Sequence, residues 1–455
     1  MDLNTNIGTL AKVLNGRVIK GSLIAPFSSF ETDTRKLKAG GFFWAFKGET
    51  YDAHDFLEAT LAKGVKGWIV EDNKIGGLKT YPDFVIGVWN TLLALHRLAA
   101  WHRSRFKLRL TAITGSNGKS TTKEMLRSIL ETAGPTAANI GNLNNHFGLP
   151  LSLLELTDNH KFGVFELGAS KKGDIFEIGT IAKPDVAVIT NIGPSHLQYF
   201  GDLKTVFKTK TEIIECLEPG GTLVYNADDE YLEPLKDRKV AKLSFGRGDA
   251  DIRVLEVGGA FKLGYKGKFI DVRLPADARH NHLNAAAAAG AAIASGLDMA
   301  AVKAGLEAFT PPPMRLQTLN IKGSAVILDA YNANPASMRA ALDSVFRPAF
   351  KKPFYLALGD MKELGQHSEK YHAELGEYLA GLDAERIFLA GPEMKAAAVE
   401  LEKKGKGAKM VYAGSSEAWA GDLRAAILAG SGTFLIKASR SMKFEKLIEG
   451  LENNG

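Results

Sequence analysis

Residues Leu108-Arg109-Leu110-Thr111-Ala112-Ile113-Thr114 lead into Gly115-Ser116-Asn117-Gly118-Lys119-Ser120-Thr121, and KEMLRSILETAG follows from Lys123. A short apolar run, a glycine turn and a helical pattern predict strand, loop and helix in that order. Small residues in such a turn let successive backbone N–H groups face phosphate oxygens. The helix N-terminus adds partial positive charge, Lys119 a full one, and Ser120 a hydroxyl suited to Mg²⁺. The match to GxxxxGK[ST] is incomplete, because Ile113 stands at the first glycine position. An ordinary glycine turn with an exposed lysine is the bland alternative, and the flanking strand and helix argue against it. The stretch therefore predicts a nucleoside triphosphate site, with Gly115 to Thr121 as its cradle.

Working outward, FGVFELG (162–168) and VAVITNIG (186–193) are further short apolar runs bounded by Gly or Asn, with helical stretches between them. This texture predicts a parallel sheet wrapped by helices, with ligands beyond the carboxyl ends of the strands. Glu166 lies near one such end and His196 just past another. A carboxylate beside a triphosphate suits a Mg²⁺ ligand, since hard cations take oxygen. His196 and the lysines of FKTKTEIIECL, Lys208 and Lys210, read from residue type alone as a packed or surface histidine and a solvated helix face.

The chain has 455 residues, which at about 150 per domain suggests three domains. Residues 1–86 read as a small mixed α/β unit, with GGFFWAFKG and GWIVED around a helix-like FLEATLAKG. Residues 87–313 open with the helical TLLALHRLAAWHRSRF, contain the strands above and close on Pro311-Pro312-Pro313, a stiff linker. Residues 314–455 repeat the strand–helix texture in SAVILDAY, FYLALGD, RIFLAG, KMVYAG and TFLIKAS, which predicts a second doubly wound sheet. The predicted class is α/β in three domains.

Composition narrows the function. Apolar residues at 45% and charged residues at 24% exclude wholesale disorder. The formal charge of +6 is mild over this length and fits anionic substrates better than a dedicated nucleic-acid binder. One cysteine, Cys216, allows neither an internal disulfide nor a thiolate zinc cage, which points to a reducing compartment. No secretory signal is visible in MDLNTNIGTLAKVLNG, and the uncharged run from His282 to Leu297 is shorter than the ~20 residues of a spanning helix. A cytoplasmic protein without stable membrane insertion is expected.

With these residues in view, the chain resembles the Mur ligases of peptidoglycan assembly, over nearly its whole length and in order. The resemblance is carried by Thr32-Asp33-Thr34-Arg35, Lys47-Gly48-Glu49, the TGSNGKST turn, Gly141-Asn142-Leu143-Asn144-Asn145 and Glu166-Leu167-Gly168-Ala169. It continues through His196, the lysine Lys210, Asn281 within Arg279–Ala285, Arg315, Asp329-Ala330-Tyr331-Asn332-Ala333-Asn334-Pro335, GDMKELG (359–365) and Lys437-Ala438-Ser439-Arg440. It implies a UDP-sugar substrate domain, a central P-loop ATPase domain and a C-terminal Rossmann-like domain. ATP would be bound by Gly115–Thr121, Asn281, Arg315, Asp329, Tyr331 and Asn332. Mg²⁺ would be held by Ser120, Glu166, His196 and a carbamylated Lys210, with Lys119, Glu166, His196 and Lys210 as the catalytic set. Thr32, Asp33, Thr34, Arg35, Lys47, Gly48, Asn142, Asn144 and Asn145 would bind substrate.

The YNANP and GDMKELG stretches point to the member that joins D-alanyl-D-alanine to UDP-N-acetylmuramoyl-tripeptide, with no nucleic-acid partner and a monomeric chain expected. The rivals are a sister ligase adding one amino acid, whose DNPR-type motif is absent here, and a folylpolyglutamate synthetase-like ligase. A P-loop switch ATPase is the rival from another class. Ser120 stands where the family commonly has threonine, Ala330 where a second acid is usual, Ala438 for a glycine and Met314 where glycine is frequent.

Overall fold

The computed structural model describes residues 3–48, 50–257, 260–275 and 279–451; Glu49 of the Lys47-Gly48-Glu49 motif lies outside them, as do the side chains of Arg279 and His280. The central sheet has nine strands, in the spatial order Lys268–Val272, Ala260–Tyr265, Ile252–Val257, Ala241–Gly246, Thr222–Asn226, Val186–Ile189, Arg109–Thr114, Phe162–Glu166 and Thr136–Ala138. The strands from Thr136–Ala138 to Ile252–Val257 are parallel, and the last two are added as antiparallel hairpin strands. Arg109–Thr114 lies between Phe162–Glu166 and Val186–Ile189. The phosphate turn, Glu166 and the Thr190–His196 loop therefore leave the sheet side by side.

Helix Lys119–Glu131 crosses the sheet against helix Arg279–Ala294. The alanines from Ala285 to Ala289 are fully buried, and their small side chains permit this close approach. Gly305 extends the same packing, since a Cβ there would lie 2.3 Å from the Ile129 backbone.

The first segment holds a four-stranded sheet, Arg17–Lys20, Phe84–Val88, Gly67–Glu71 and Phe42–Trp44, with only the first strand antiparallel. The border expected at 86/87 falls inside strand Phe84–Val88, which runs on through Gly87, where a Cβ would lie 2.0 Å from Asp72 Oδ1. Asn90 then caps helix Thr91–Ser104 by accepting from the Leu93 N–H at 2.8 Å. That helix buries Leu95 and Leu98 in one core with Leu10 and Leu14 of the first segment and Leu153 and Ile178 of the second.

The third segment contains six strands in the order Gln317–Ile321, Ser324–Leu328, Thr433–Lys437, Phe354–Gly359, Arg386–Ala390 and Met410–Ala413. All are parallel except the edge strand Gln317–Ile321. The proline triplet lies between helix Met299–Ala308 and this edge strand. Among the described residues no helix is long and apolar enough to cross a membrane.

Candidate active site

Thr114 ends a strand that is buried from Leu110 onward, and the chain reverses through Gly115 and Gly118. Gly118 has φ 81°, and a Cβ there would sit 2.2 Å from Asn284 Oδ1, so the position requires glycine on both counts. The loop is fixed from the neighbouring strand end. Ser116 N–H donates to the Asn191 carbonyl (3.0 Å), Asn117 N–H to Asn191 Oδ1 (2.9 Å), and Thr190 Oγ1 to the Asn117 carbonyl (2.6 Å). Helix Lys119–Glu131 then starts with no side-chain cap and no acidic residue in its first turn. Its first N–H groups are left for an anion.

Lys119 Nζ folds over the turn and donates to the carbonyls of Gly115 (2.8 Å) and Ser116 (3.3 Å). Burial lowers its pKa and Arg315 adds to this, while Glu166 opposes it. Ser120 Oγ donates to Glu166 Oε2 at 2.5 Å, and Asn144 Nδ2 donates to Glu166 Oε1 at 2.8 Å. Burial pushes the Glu166 carboxyl up, but Lys119, the Ser120 hydroxyl, Arg315 and Asn144 together hold it below its ordinary value. Glu166 is thus a buried carboxylate in a positive field beside a hydroxyl, a donor set that fits Mg²⁺ shared with phosphate oxygens.

The third segment closes over this floor. Arg315 Nη2 donates to Ser120 Oγ at 2.8 Å, with its guanidinium 4.1 Å from the centre of the Tyr331 ring. Asn334 Nδ2 donates to Asn117 Oδ1 at 2.6 Å while its own Oδ1 caps helix Pro335–Val345. Lys437 Nζ bonds Asp329 Oδ2 (2.6 Å) and the Asn332 carbonyl (2.9 Å), which fixes the loop carrying Tyr331. The cleft enclosed between the two segments has a volume of 630 Å³ and is lined by Gly118–Thr121, Glu166, His196, Lys210, Asn281, Arg315, Tyr331 and Asn332, among others.

Lys210 lies near the end of helix Leu203–Thr211 and is 1% exposed. Burial and repulsion from Lys119 bring its pKa down to about 7, against the pull of Glu166. The bland reading of a solvated face holds for Lys208, which is exposed, and fails for Lys210, whose side of the helix faces the cleft instead of water. His196 has left-handed backbone (φ 53°), and its Nδ1 lies 2.5 Å from Glu363 Oε2 of the third segment. The two atoms are in close contact without an aligned hydrogen bond. The imidazole holds the Glu363 carboxyl below its ordinary value.

Two family patterns match the chain: "Mur ligase middle domain" over residues 113–292 and "Mur ligase, glutamate ligase domain" over residues 314–440. The Escherichia coli UDP-N-acetylmuramoyl-tripeptide–D-alanyl-D-alanine ligase is 34% identical, with 100% of this chain and 99% of the relative covered. The chain belongs to the Mur ligase family. A crystal structure of MurF from Acinetobacter baumannii superposes with a TM-score of 0.89 at 33% identity, covering 99% of both chains. MurF ligase from Thermotoga maritima in complex with ADP gives a TM-score of 0.82 at 29% identity, covering 93% of this chain and 96% of that one.

In this Mur ligase the residues expected around the nucleotide come together: Ser116 to Thr121, Asn281, Arg315, Asp329, Tyr331 and Asn332 all line one cleft with Glu166, His196 and Lys210. Gly115 sits beneath it, against Thr190. Of the residues expected to bind substrate, Asn144 and Asn145 line the cleft, while Asn142 is exposed and does not. Thr32 to Arg35 form a separate turn in the first segment, where Glu31 Oε1 accepts from the N–H groups of Thr32 (2.8 Å) and Asp33 (2.9 Å). Asp33 pairs with Arg35 at 2.8 Å. Lys47 pairs with Asp52 through the backbone as an isolated antiparallel bridge, and the Gly48 N–H donates to the Tyr51 carbonyl (2.8 Å). Neither stretch reaches the cleft.

The site-residue assignment from sequence omitted Asn139, Asn191, Asn334 and Lys437. Asn139 accepts from Glu166 N–H (2.9 Å) and donates to the Glu166 carbonyl (3.0 Å), fixing that strand end. Asn191 carried a signal, since it follows a buried strand where ligands gather.

Proposed function

We propose that the chain is an ATP-dependent ligase that joins D-alanyl-D-alanine to UDP-N-acetylmuramoyl-tripeptide through an acyl phosphate, with release of ADP and phosphate. The observation that carries this is the relay from Arg315 to Ser120 to Glu166. It ties the third segment to the phosphate turn where the terminal phosphoryl group would lie. Full-length likeness to ligases named for this reaction supplies the substrate reading. The P-loop switch reading does not account for a cleft closed by a second Rossmann-like sheet.

Forming an amide from a carboxylate is uphill, and its oxygen is a poor leaving group. Transfer of the γ-phosphoryl group to the tripeptide carboxylate makes an electrophile; the amine of the dipeptide attacks and phosphate departs. The protein contributes positioning and charge neutralisation. The N–H groups of the helix start and Lys119 hold the triphosphate, Arg315 meets charge on the transferring group, and Asn117 with Asn334 keeps the third segment over the site. Closure keeps water from the acyl phosphate.

Ser120 and Glu166 would hold Mg²⁺, which neutralises phosphate charge when bound. His196, which lines the same cleft, would add an imidazole nitrogen to this set. Lys210 fits carbamylation: its pKa near 7 makes the free amine available, and addition of CO₂ turns a cation repelled by Lys119 into an anion attracted to it. The first-segment turns at Thr32–Arg35 and Lys47–Gly48 would receive the uridine end. A monomer is supported by a cleft built from segments of one chain, and a cytoplasmic location by the nucleotide substrates and single buried thiol.

The test is ADP release against a panel of UDP-peptides with D-alanyl-D-alanine or single amino acids. Release only with the tripeptide and the dipeptide together supports the reading. Turnover with a single amino acid, or with nucleotide alone, refutes it.

A further inference from the structure

Helix Thr91–Ser104, the loop before helix Gly148–Leu153 and helix Asp174–Ala182 converge on three side chains that the ligation chemistry does not use: His96, His146 and Glu177. Their ligand atoms all lie within 4.8 Å of one another. Hydrogen bonding fixes both tautomers. His96 Nε2 lies 2.6 Å from the His146 carbonyl, which can only accept, so Nε2 carries the proton. His146 Nε2 lies 3.0 Å from Asp174 Oδ1, and Asp174 is an acceptor already bonded through Oδ2 by the N–H groups of Ser170 (2.8 Å) and Lys171 (2.9 Å). Its Nε2 therefore carries the proton too.

That leaves Nδ1 as the second nitrogen of each ring, and both Nδ1 atoms meet one carboxylate. His96 Nδ1 is 3.4 Å from Glu177 Oε1 and His146 Nδ1 is 3.3 Å from Glu177 Oε2. A cation placed among these atoms would be met by two ring nitrogens and a carboxylate at once. At metal–ligand distances of about 2.0–2.2 Å, ligand atoms of a tetrahedral zinc are roughly 3.3–3.5 Å apart, and both nitrogen-to-oxygen separations fall in that range.

We propose that His96 Nδ1, His146 Nδ1 and the Glu177 carboxylate form a binding site for a divalent transition-metal ion, zinc by preference. Two imidazoles and a carboxylate suit zinc over the all-oxygen preference of magnesium. The outer contacts match those of metal-bound histidines, which donate the other ring N–H to a carbonyl or carboxylate, here the His146 carbonyl and Asp174. The Glu177 side chain is 44% exposed, which leaves a solvent-facing fourth position. The bound ion would pin the loop from Asn144 to His146, and with it the Asn144 bond to Glu166. The site borders the nucleotide cleft, which His146 and Asp174 also line, but it uses neither Ser120 nor Glu166 and does not rest on the ligase reading.

Zinc titration of tag-free, chelator-stripped full-length chain, in competition with a chromogenic chelator, tests it. One zinc per chain is expected, weakened at least tenfold in Glu177→Gln and in His146→Gln, while Glu177→Gln still binds ADP with Mg²⁺. Cobalt should give visible absorption bands that Glu177→Gln loses. Zinc binding that is absent, insensitive to both substitutions, or displaced by Mg²⁺ with ATP would overturn the proposal.

Discussion

Replacing Lys210 with methionine should make the protein more stable and inactive at once. The ammonium of Lys210 is buried beside Lys119, and its pKa falls from the ordinary 10.5 to about 7. Each pH unit of that displacement corresponds to about 1.4 kcal/mol, so retaining the charged group costs the fold up to ~5 kcal/mol. The sign follows from proton counting. Between pH 7 and 10.5 the unfolded chain holds a proton on Lys210 that the folded chain has released, so stability rises with pH across this window. Below pH 7 both states are protonated and the full penalty stands.

Lys210→Met removes the charge and keeps most of the volume. In CO₂-free buffer, urea unfolding should show the variant more stable by several kcal/mol at pH 6.5, with the gap narrowing by about 1.4 kcal/mol per pH unit above pH 7. Bicarbonate should stabilise the parent protein and leave the variant unchanged, because only the lysine can form a carbamate. A gap that is absent, or that does not narrow with pH, would refute the placement of a strained ammonium. A gap insensitive to bicarbonate would refute the carbamate alone.

Lys119→Ala should abolish ligation, while isothermal titration with the UDP-tripeptide should still show binding, since Lys119 hydrogen-bonds only within the phosphate turn. Asn334→Ala removes both the bond to Asn117 and a helix cap, which predicts a raised KM for ATP and a loss of about 1 kcal/mol in unfolding free energy. Asn334→Ser should recover the stability but not the KM. Met314 holds φ 57°, a left-handed conformation that costs a side-chain-bearing residue roughly 1 kcal/mol, so Met314→Gly should raise stability by a fraction of that in denaturant unfolding.

The central strands were legible because strands buried on both faces read as unbroken apolar runs, and Arg109–Thr114, Phe162–Glu166 and Val186–Ile189 do. The hairpin strands Ile252–Val257, Ala260–Tyr265 and Lys268–Val272 interleave charged residues with apolar ones and extend the sheet at its edge, and they carried no comparable signal. The phosphate turn was legible because its chemistry is local. Asn334 meeting Asn117, Arg315 meeting Ser120 and His96 meeting His146 join residues far apart in the chain, and no periodicity encodes them. Lys210 shows the limit most clearly. On residue type it belongs to a solvated helix, and only the packing of that helix against the cleft makes its charge costly.

The central claim is that a triphosphate on the Gly115–Thr121 turn drives amide formation by phosphorylating the tripeptide carboxylate. The direct measurement is turnover of UDP-tripeptide labelled with oxygen-18 in its terminal carboxylate, followed by mass spectrometry of the released phosphate. The account predicts one label transferred to each phosphate formed, dependent on Lys119. Amide formation with unlabelled phosphate would contradict it.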